Sequence, residues 1–201
     1  MHTPFNLAIS RRSCLRWLTI PALGALALST QANMAATWQA LKAPGSIVLF
    51  RHALAPGGGD PAGFVAGDCS TQRNLSEVGR QQAKRLGDTL RHNGVNVTAV
   101  WHSAWCRTRD TAHLAFPNMV APALRVEPAF NSFFSDRDSE AAQTAAARQL
   151  LLDWRGPGTL VVVTHQVNIT ALTGIVPQSG EGVVVQRGGG KLAVVGRLFE
   201  S

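Results

Sequence analysis

Three apolar stretches of the 201-residue chain end in side chains that could bind and attack an anion. These side chains follow the stretches directly: Arg51 and His52 after residues 46–50, His102 and Ser103 after residues 97–101, and His165 after residues 159–164. A further cation, Arg107, lies just beyond the second stretch. A guanidinium group is planar, permanently charged and offers two parallel N–H groups to phosphate oxygens, and a neutral imidazole can act as a nucleophile. The residue types therefore suit a phosphoryl group.

Chemistry of this kind needs no metal ion, because the guanidinium groups can neutralise the charge on the transferring group. Cys69, Cys106 and the histidines near them show no recognised zinc spacing. The glycines at 57–59 lack the Gly-Lys-Ser/Thr continuation of a nucleotide-binding loop. We therefore expect neither a metal nor a cofactor.

The three apolar stretches are predicted to be strands whose carboxyl ends meet at one edge of a sheet. Continuous apolar runs of this length are typical of strands buried on both faces. The other predicted elements are helices over 76–92, 104–116, 139–154 and 167–174, and strands over 124–126, 182–186 and 192–198. Because strands and helices alternate, the pattern indicates an α/β fold with a mainly parallel sheet, in which ligands bind at the carboxyl edge.

The predicted helix over 104–116 carries two arginines, of which one can face the site. Arg107 lies in the first turn, where free backbone N–H groups favour anions. Arg109 follows two residues later and so lies about 200° further round the helix. We expect one of the two to be a surface charge.

The first 36 residues have the pattern of a secretory signal peptide. A basic segment at residues 11–16 precedes an apolar run at residues 17–28 that is too short to span a bilayer comfortably. The twin arginine also resembles a Tat signal. We expect a signal over 1–36, a single domain over 37–201, a periplasmic or secreted location, and no stable membrane insertion once the signal is cleaved.

The net charge and the cysteine content indicate which class of partner and which cellular compartment to expect. The formal net charge is +7, or +4 without the three arginines of the predicted signal. A positive charge this mild and scattered argues against a nucleic-acid partner. Export would leave Cys69 and Cys106 in an oxidising compartment, where two cysteines can pair. Their spacing alone does not decide whether they do.

At these positions the sequence resembles the histidine phosphatase superfamily, the phosphoglycerate mutase-like proteins with an Arg-His opening motif. The matched positions are Arg51 and His52 for the opening motif, Ser103, Arg107 and Thr111 for a Ser-x-x-x-Arg-x-x-x-Thr pattern, and His165 for the second histidine. The resemblance covers residues 46–174. It implies a three-layer α/β sandwich with helices on both faces of a mainly parallel sheet.

The resemblance also implies the role of each matched residue. His52 is the nucleophile that becomes phosphorylated, while Arg51, Arg107 and His165 hold the phosphoryl oxygens. Water then hydrolyses the phosphohistidine.

The proton donor is the part of the family pattern that this sequence lacks. Many members carry a glutamate in a Leu-x-Glu setting, and the corresponding residues 130–132 are Phe-Asn-Ser. Because a leaving alkoxide needs a proton, we expect Asp136 or Asp138, shortly after on the same loop, to supply it. The further candidates are Glu140 and, on the glycine-rich loop, Asp60 and Asp68.

Together these features predict an exported, metal-independent phosphatase that hydrolyses a small or surface-attached phosphomonoester through a phosphohistidine. The alternative is a binding protein that captures a phosphorylated ligand with little or no turnover. Tight phosphate binding without a burst of product would identify the alternative.

Overall fold

A six-stranded mixed sheet forms the centre of the structure, a computed structural model that describes residues 23–199. The strands are β1 (Ile47–Arg51), β2 (Val97–His102), β3 (Leu124–Val126), β4 (Thr159–Thr164), β5 (Gly182–Gly188) and β6 (Lys191–Leu198). Their order is β3-β2-β4-β1-β5-β6. The first four run parallel, β5 is antiparallel to β1, and β6 is antiparallel to β5. The predicted α/β fold with a mainly parallel sheet is confirmed.

Helices cover both faces of this sheet, so the architecture has three layers. The helices are α1 (Leu23–Lys42), α2 (Glu77–His92), α3 (Cys106–Ala115), α4 (Glu140–Asp153) and α5 (Gln166–Thr173). Successive residues of β1 point to opposite faces: Val48 and Phe50 join a core with the first three helices, and Ile47 and Leu49 join a core with the last two. Each fully buried side chain of this size contributes about 1.5–3 kcal/mol.

Helix α1 begins inside the segment predicted to be a signal peptide and continues beyond residue 36. Its last turns lie against the domain, where Thr37 and Leu41 are buried. The basic part of the predicted signal lies outside the described residues, so the signal stays a prediction. Within residues 23–199, no helix has the length and apolar character needed to cross a bilayer.

The backbone just after His52 contacts both α2 and α3. Ala53 donates its N–H to the Thr111 hydroxyl at 3.1 Å. The Leu54 carbonyl lies so close to α2 that a Cβ at Gly79 would sit 2.0 Å from its oxygen. A glycine is therefore required in the first turn of α2, and the two helices fix the chain at the carboxyl end of β1.

Candidate active site

A cavity of about 220 Å³ opens at the carboxyl edge of the sheet, where β1 and β4 end and α3 begins. Its lining includes the four predicted phosphate-site residues, Arg51, His52, Arg107 and His165. Two further charged residues of the lining, Asp60 and Arg73, come from the loop between β1 and α2. The topology thus brings together the groups that the sequence places at the ends of separate strands.

His52 is only 2% exposed, and its hydrogen bonding leaves one ring nitrogen for the cavity. Its Nδ1 lies 2.7 Å from the carbonyl oxygen of Ala53. Because a carbonyl only accepts, Nδ1 carries the proton and Nε2 keeps its lone pair. Burial, together with the charges of the nearby arginines, lowers the pKa of His52 to about 3. The imidazole is therefore neutral at pH 7, the form that a nucleophile needs.

His165 is held in the opposite tautomer by a chain of hydroxyl groups. Thr108 donates its hydroxyl hydrogen to the Trp105 carbonyl at 2.8 Å. Ser103 can then donate to Thr108 at 2.6 Å while it accepts from Nε2 of His165 at 2.8 Å. The proton of the ring therefore lies on Nε2, and Nδ1 faces Arg107 at 3.5 Å. Burial and the nearby cations lower the pKa of His165 well below its usual range.

Arg107 is the most enclosed cation of the site, with its side chain 3% exposed. Its Nη1 and Nη2 donate to the two carboxylate oxygens of Asp60 at 2.6 Å and 3.1 Å. Asp60 also accepts from Nε1 of Trp105 at 2.9 Å. Arg109, two residues along α3, lies at the surface, as the helical period predicts for one of the two arginines. It forms an ion pair with Asp110.

Arg51 and Arg73 extend the positive charge around His52. Arg51 donates from Nη1 to the Pro177 carbonyl at 3.0 Å. Arg73 donates from Nε to the Gly59 carbonyl at 2.8 Å and from Nη1 to the Ala55 carbonyl, so it holds both ends of the glycine-rich segment. From its place directly after the glycine-rich loop, Arg73 could be predicted only as part of a segment, residues 72–74, that either reaches substrate or is solvated.

The carboxylates expected to donate a proton lie in different places. Asp136 and Asp138 are exposed on the segment around a short 3₁₀ helix, Arg137–Ser139, and neither lines the cavity. Asp138 instead borders a separate surface groove together with Glu140. Asp60 lines the cavity itself.

The remaining predicted candidates lie outside the cavity. Asp68 is exposed and accepts from the backbone N–H of Ser70 at 3.0 Å. His102 is buried with its Nδ1 2.7 Å from the Ser103 carbonyl. Among residues 23–199, no three His, Cys, Asp or Glu side chains are grouped in a way that could hold a metal ion.

A disulfide joins the glycine-rich loop to the start of α3. Cys69 and Cys106 are bonded, with their Cα atoms 5.7 Å apart. Cys106 also donates its backbone N–H to the Gln72 side chain at 2.9 Å. Since Arg107 is the next residue, the bond fixes the helix start that presents this cation. The pairing that spacing alone left open is therefore present.

The family model of the histidine phosphatase superfamily (branch 1) matches residues 47–131, from β1 to the loop after β3. Over these residues the chain is similar to the histidine phosphatase superfamily. The predicted resemblance is confirmed, and the superfamily supports a phosphatase activity. Comparison with curated proteins finds no match.

Solved structures share the fold of this chain at low sequence identity. The protein histidine phosphatase SixA complexed with tungstate is 16% identical with a TM-score of 0.55, covering 76% of this chain and 96% of its own. The putative phosphohistidine phosphatase SixA from Agrobacterium tumefaciens is 16% identical with a TM-score of 0.55, covering 79% and 99%. A mycobacterial glucosyl-3-phosphoglycerate phosphatase is 17% identical with a TM-score of 0.51, covering 76% and 98%. The predicted phosphoglycerate mutase-like fold is thereby confirmed.

The buried histidines of this site predict a loss of stability in acid. The pKa of His52 falls from 6.5 in the unfolded chain to about 3 in the fold. Below pH 6.5 the unfolded chain therefore binds a proton that the fold excludes, so the stabilisation present above pH 6.5 is lost progressively down to about pH 3. Between pH 6.5 and 5, His52 should lower the free energy of unfolding by about 2 kcal/mol, and His165 acts in the same direction.

Urea unfolding at pH 7 and pH 5 measures this effect. His52→Gln should unfold with a smaller pH dependence than wild type, whereas His92→Gln, at an exposed position of α2, should retain the wild-type dependence. Equal pH dependence in wild type and His52→Gln would contradict the prediction.

Proposed function

We propose that the protein is an exported, metal-independent phosphatase that hydrolyses a phosphomonoester through a phosphohistidine on His52. The observation that carries the proposal is the fixed tautomer of His52. With Nδ1 bonded to the Ala53 carbonyl, the lone pair of Nε2 is left for a cavity lined by guanidinium groups. A neutral nucleophile and a set of cations are the two requirements of phosphoryl transfer to nitrogen.

In the first step Nε2 of His52 forms a bond to phosphorus as the bond from phosphorus to the alcohol oxygen breaks. Arg51 and Arg107 offer N–H groups to the phosphoryl oxygens and balance their charge. The anion also raises the pKa of His165 from its lowered value, so that Nδ1 can take a proton and donate to an oxygen. Water then attacks phosphorus, and phosphate leaves with His52 restored.

Export and substrate size have separate support. The arginine-rich, then apolar, N-terminal segment has the pattern of a secretory signal, and disulfides such as Cys69–Cys106 are typical of oxidising compartments. The cavity is below the size range of drug-like ligand sites. It suits a phosphoryl group with a small alcohol, or the phosphorylated end of a larger or surface-attached molecule. Nucleic acid is not favoured, because the net charge is mild.

Trapping the covalent intermediate tests the proposal. The mature protein is quenched with an alkaline denaturant after brief exposure to a radiolabelled aryl phosphate in the presence of a metal chelator. We expect acid-labile, base-stable label on His52, and we expect it in His92→Ala but not in His52→Ala. An aryl leaving group needs little protonation, so the test does not depend on the acid.

The same experiment separates the alternative function. Tight binding of inorganic phosphate with no label in wild type would identify a ligand-binding protein. Undiminished label in His52→Ala would move the nucleophile to another residue. Label that appears only without the chelator would contradict metal independence.

A further inference from the structure

The guanidinium group assigned to the phosphoryl oxygens already holds a carboxylate in the same manner. Both terminal nitrogens of Arg107 donate to Asp60, one to each oxygen. A phosphoryl group offers two oxygens to a guanidinium fork in the same geometry. Since Arg107 is almost fully buried, its terminal nitrogens cannot bind both groups as they now bind Asp60. Asp60 therefore lies where two phosphoryl oxygens are expected.

The charges of the cavity favour replacement of this carboxylate by a phosphoryl group. Arg51, Arg73 and Arg107 line the cavity, and Asp60 is the carboxylate among its lining residues. The Nε atoms of Arg51 and Arg107 are buried and have no hydrogen-bond partner among residues 23–199. A phosphoryl dianion brings more negative charge and a third oxygen, so it can satisfy this set better than one carboxylate.

The segment that carries Asp60 has a backbone able to change its path. Gly57 and Gly59 have positive φ angles of 93° and 69°, which other residues rarely adopt. A Cβ at Gly58 would have no atom within 4 Å, so the segment is not packed tightly there. The Trp105 and Arg73 contacts to Asp60 are single hydrogen bonds.

We propose that Asp60 yields Arg107 to the incoming phosphoryl group, takes up a proton as it does so, and donates that proton to the leaving alkoxide. The proposal rests on the phosphatase function proposed above and names its missing acid. It replaces the expectation that Asp136 or Asp138 supplies the proton, since neither lines the cavity.

The surroundings of Asp60 explain why it would bind a proton only with substrate present. Burial raises the pKa of Asp60, but hydrogen bonds from Arg107 and Trp105 and the charge of Arg107 outweigh it and hold the pKa below its usual range. When phosphate binds Arg107 in place of Asp60, the carboxyl is still buried and now lies near an anion. Both effects raise the pKa of Asp60. The other charged or titratable groups around the cavity are Arg51, His52, Arg73, Arg137 and His165, with Glu140 paired to Arg137.

Protons and bonds balance over the cycle. Nε2 of His52 bonds to phosphorus, the bond to the alcohol oxygen breaks, and the Asp60 proton passes to that oxygen. The Asp60 carboxylate then takes a proton from the attacking water, whose oxygen bonds to phosphorus as the bond to Nε2 breaks. Phosphate leaves, and Asp60 releases the proton on returning to Arg107. The net reaction converts ester and water to alcohol and phosphate.

Calorimetry with inorganic phosphate tests whether phosphate replaces Asp60 at Arg107. Titrations in buffers of different ionisation enthalpy, at a pH where free phosphate is the dianion, report proton uptake. Wild type should take up about one proton more than Asp60→Asn, and the variant should bind phosphate about tenfold more tightly, because no carboxylate competes for Arg107. Asp88→Asn is the matched control, since it breaks a 2.6 Å aspartate–arginine pair at the surface of α2.

Steady-state kinetics with two leaving groups test whether Asp60 donates the proton to the leaving alkoxide. In Asp60→Asn, kcat/KM for an alkyl phosphate should fall about 10²- to 10³-fold, and the fall for an aryl phosphate should be under about tenfold. Asp60→Glu should recover part of the alkyl activity. Equal losses for both substrates, no loss, or an alkyl-selective loss in Asp136→Asn or Asp138→Asn would overturn the proposal.

Two outcomes keep this proposal separate from the function on which it rests. Missing His52 label in wild type would defeat the phosphatase mechanism itself. Normal label, with proton uptake no greater in wild type than in Asp60→Asn, would overturn only the role of Asp60. If Asp60→Asn does not fold, a wild type that takes up no proton at all on binding phosphate would still overturn that role.

Discussion

Arg107→Lys is expected to lower kcat/KM for an aryl phosphate by about 10³-fold, or about 4 kcal/mol of transition-state stabilisation. Lysine keeps the charge but loses the planar pair of N–H groups that matches two phosphoryl oxygens. The loss should therefore exceed what removal of a single hydrogen bond would cause.

Steady-state kinetics of Arg107→Lys beside Arg109→Lys provide the measurement. The second substitution lies on the same helix at an exposed arginine, so it changes the side chain without touching the cavity. Thermal unfolding of both variants shows whether the fold is kept. If the two variants lose the same activity, the assignment of Arg107 to the phosphoryl group is wrong.

Reduction of the Cys69–Cys106 disulfide should lower the free energy of unfolding by about 4 kcal/mol. The bond closes a segment with a sequence separation of 37, and a closed loop of that length removes this much conformational freedom from the unfolded chain. Activity should also fall, because Cys106 directly precedes Arg107 at the start of α3. The loss of stability is the larger and more general effect.

Urea unfolding of the protein with and without dithiothreitol measures this difference. A variant with both Cys69→Ser and Cys106→Ser serves as the control, since reductant should leave its stability unchanged. A change under about 1 kcal/mol in wild type would show that the disulfide contributes little constraint.

Much of the fold could be predicted because its strands are short, apolar and buried. The predicted strands over 124–126 and 159–164 coincide with β3 and β4, and the helix over 139–154 with α4 within one residue at each end. Helix α1 was not predicted as a structural element. Its small and apolar residues fit a signal peptide as well as a helix, so local pattern could not separate the two.

The residues of the site differ in the same way: some could be predicted from local sequence, and others depend on contacts between distant parts of the chain. Arg51, His52 and His165 could be predicted because each ends a strand or directly follows one, and the ends of parallel strands share one edge. Asp60 could be named only as one carboxylate among several. Its partner Arg107 lies 47 residues away on another element, and no periodicity connects the two. Asp136 and Asp138 were predicted because they follow the position of the glutamate that this sequence lacks, and both lie at the surface.

The place of β1 in the sheet has a consequence for the order of folding. The strand that ends in His52 pairs with β4 on one side and β5 on the other, and these begin only at Thr159 and Gly182. Contacts so distant along the chain form late, and a chain is synthesised from its N-terminus. His52 is therefore synthesised before either of the strands that pair with β1. Loss of the hairpin formed by β5 and β6 would leave β1 with an open edge, although none of the four phosphate-site residues lies in that hairpin.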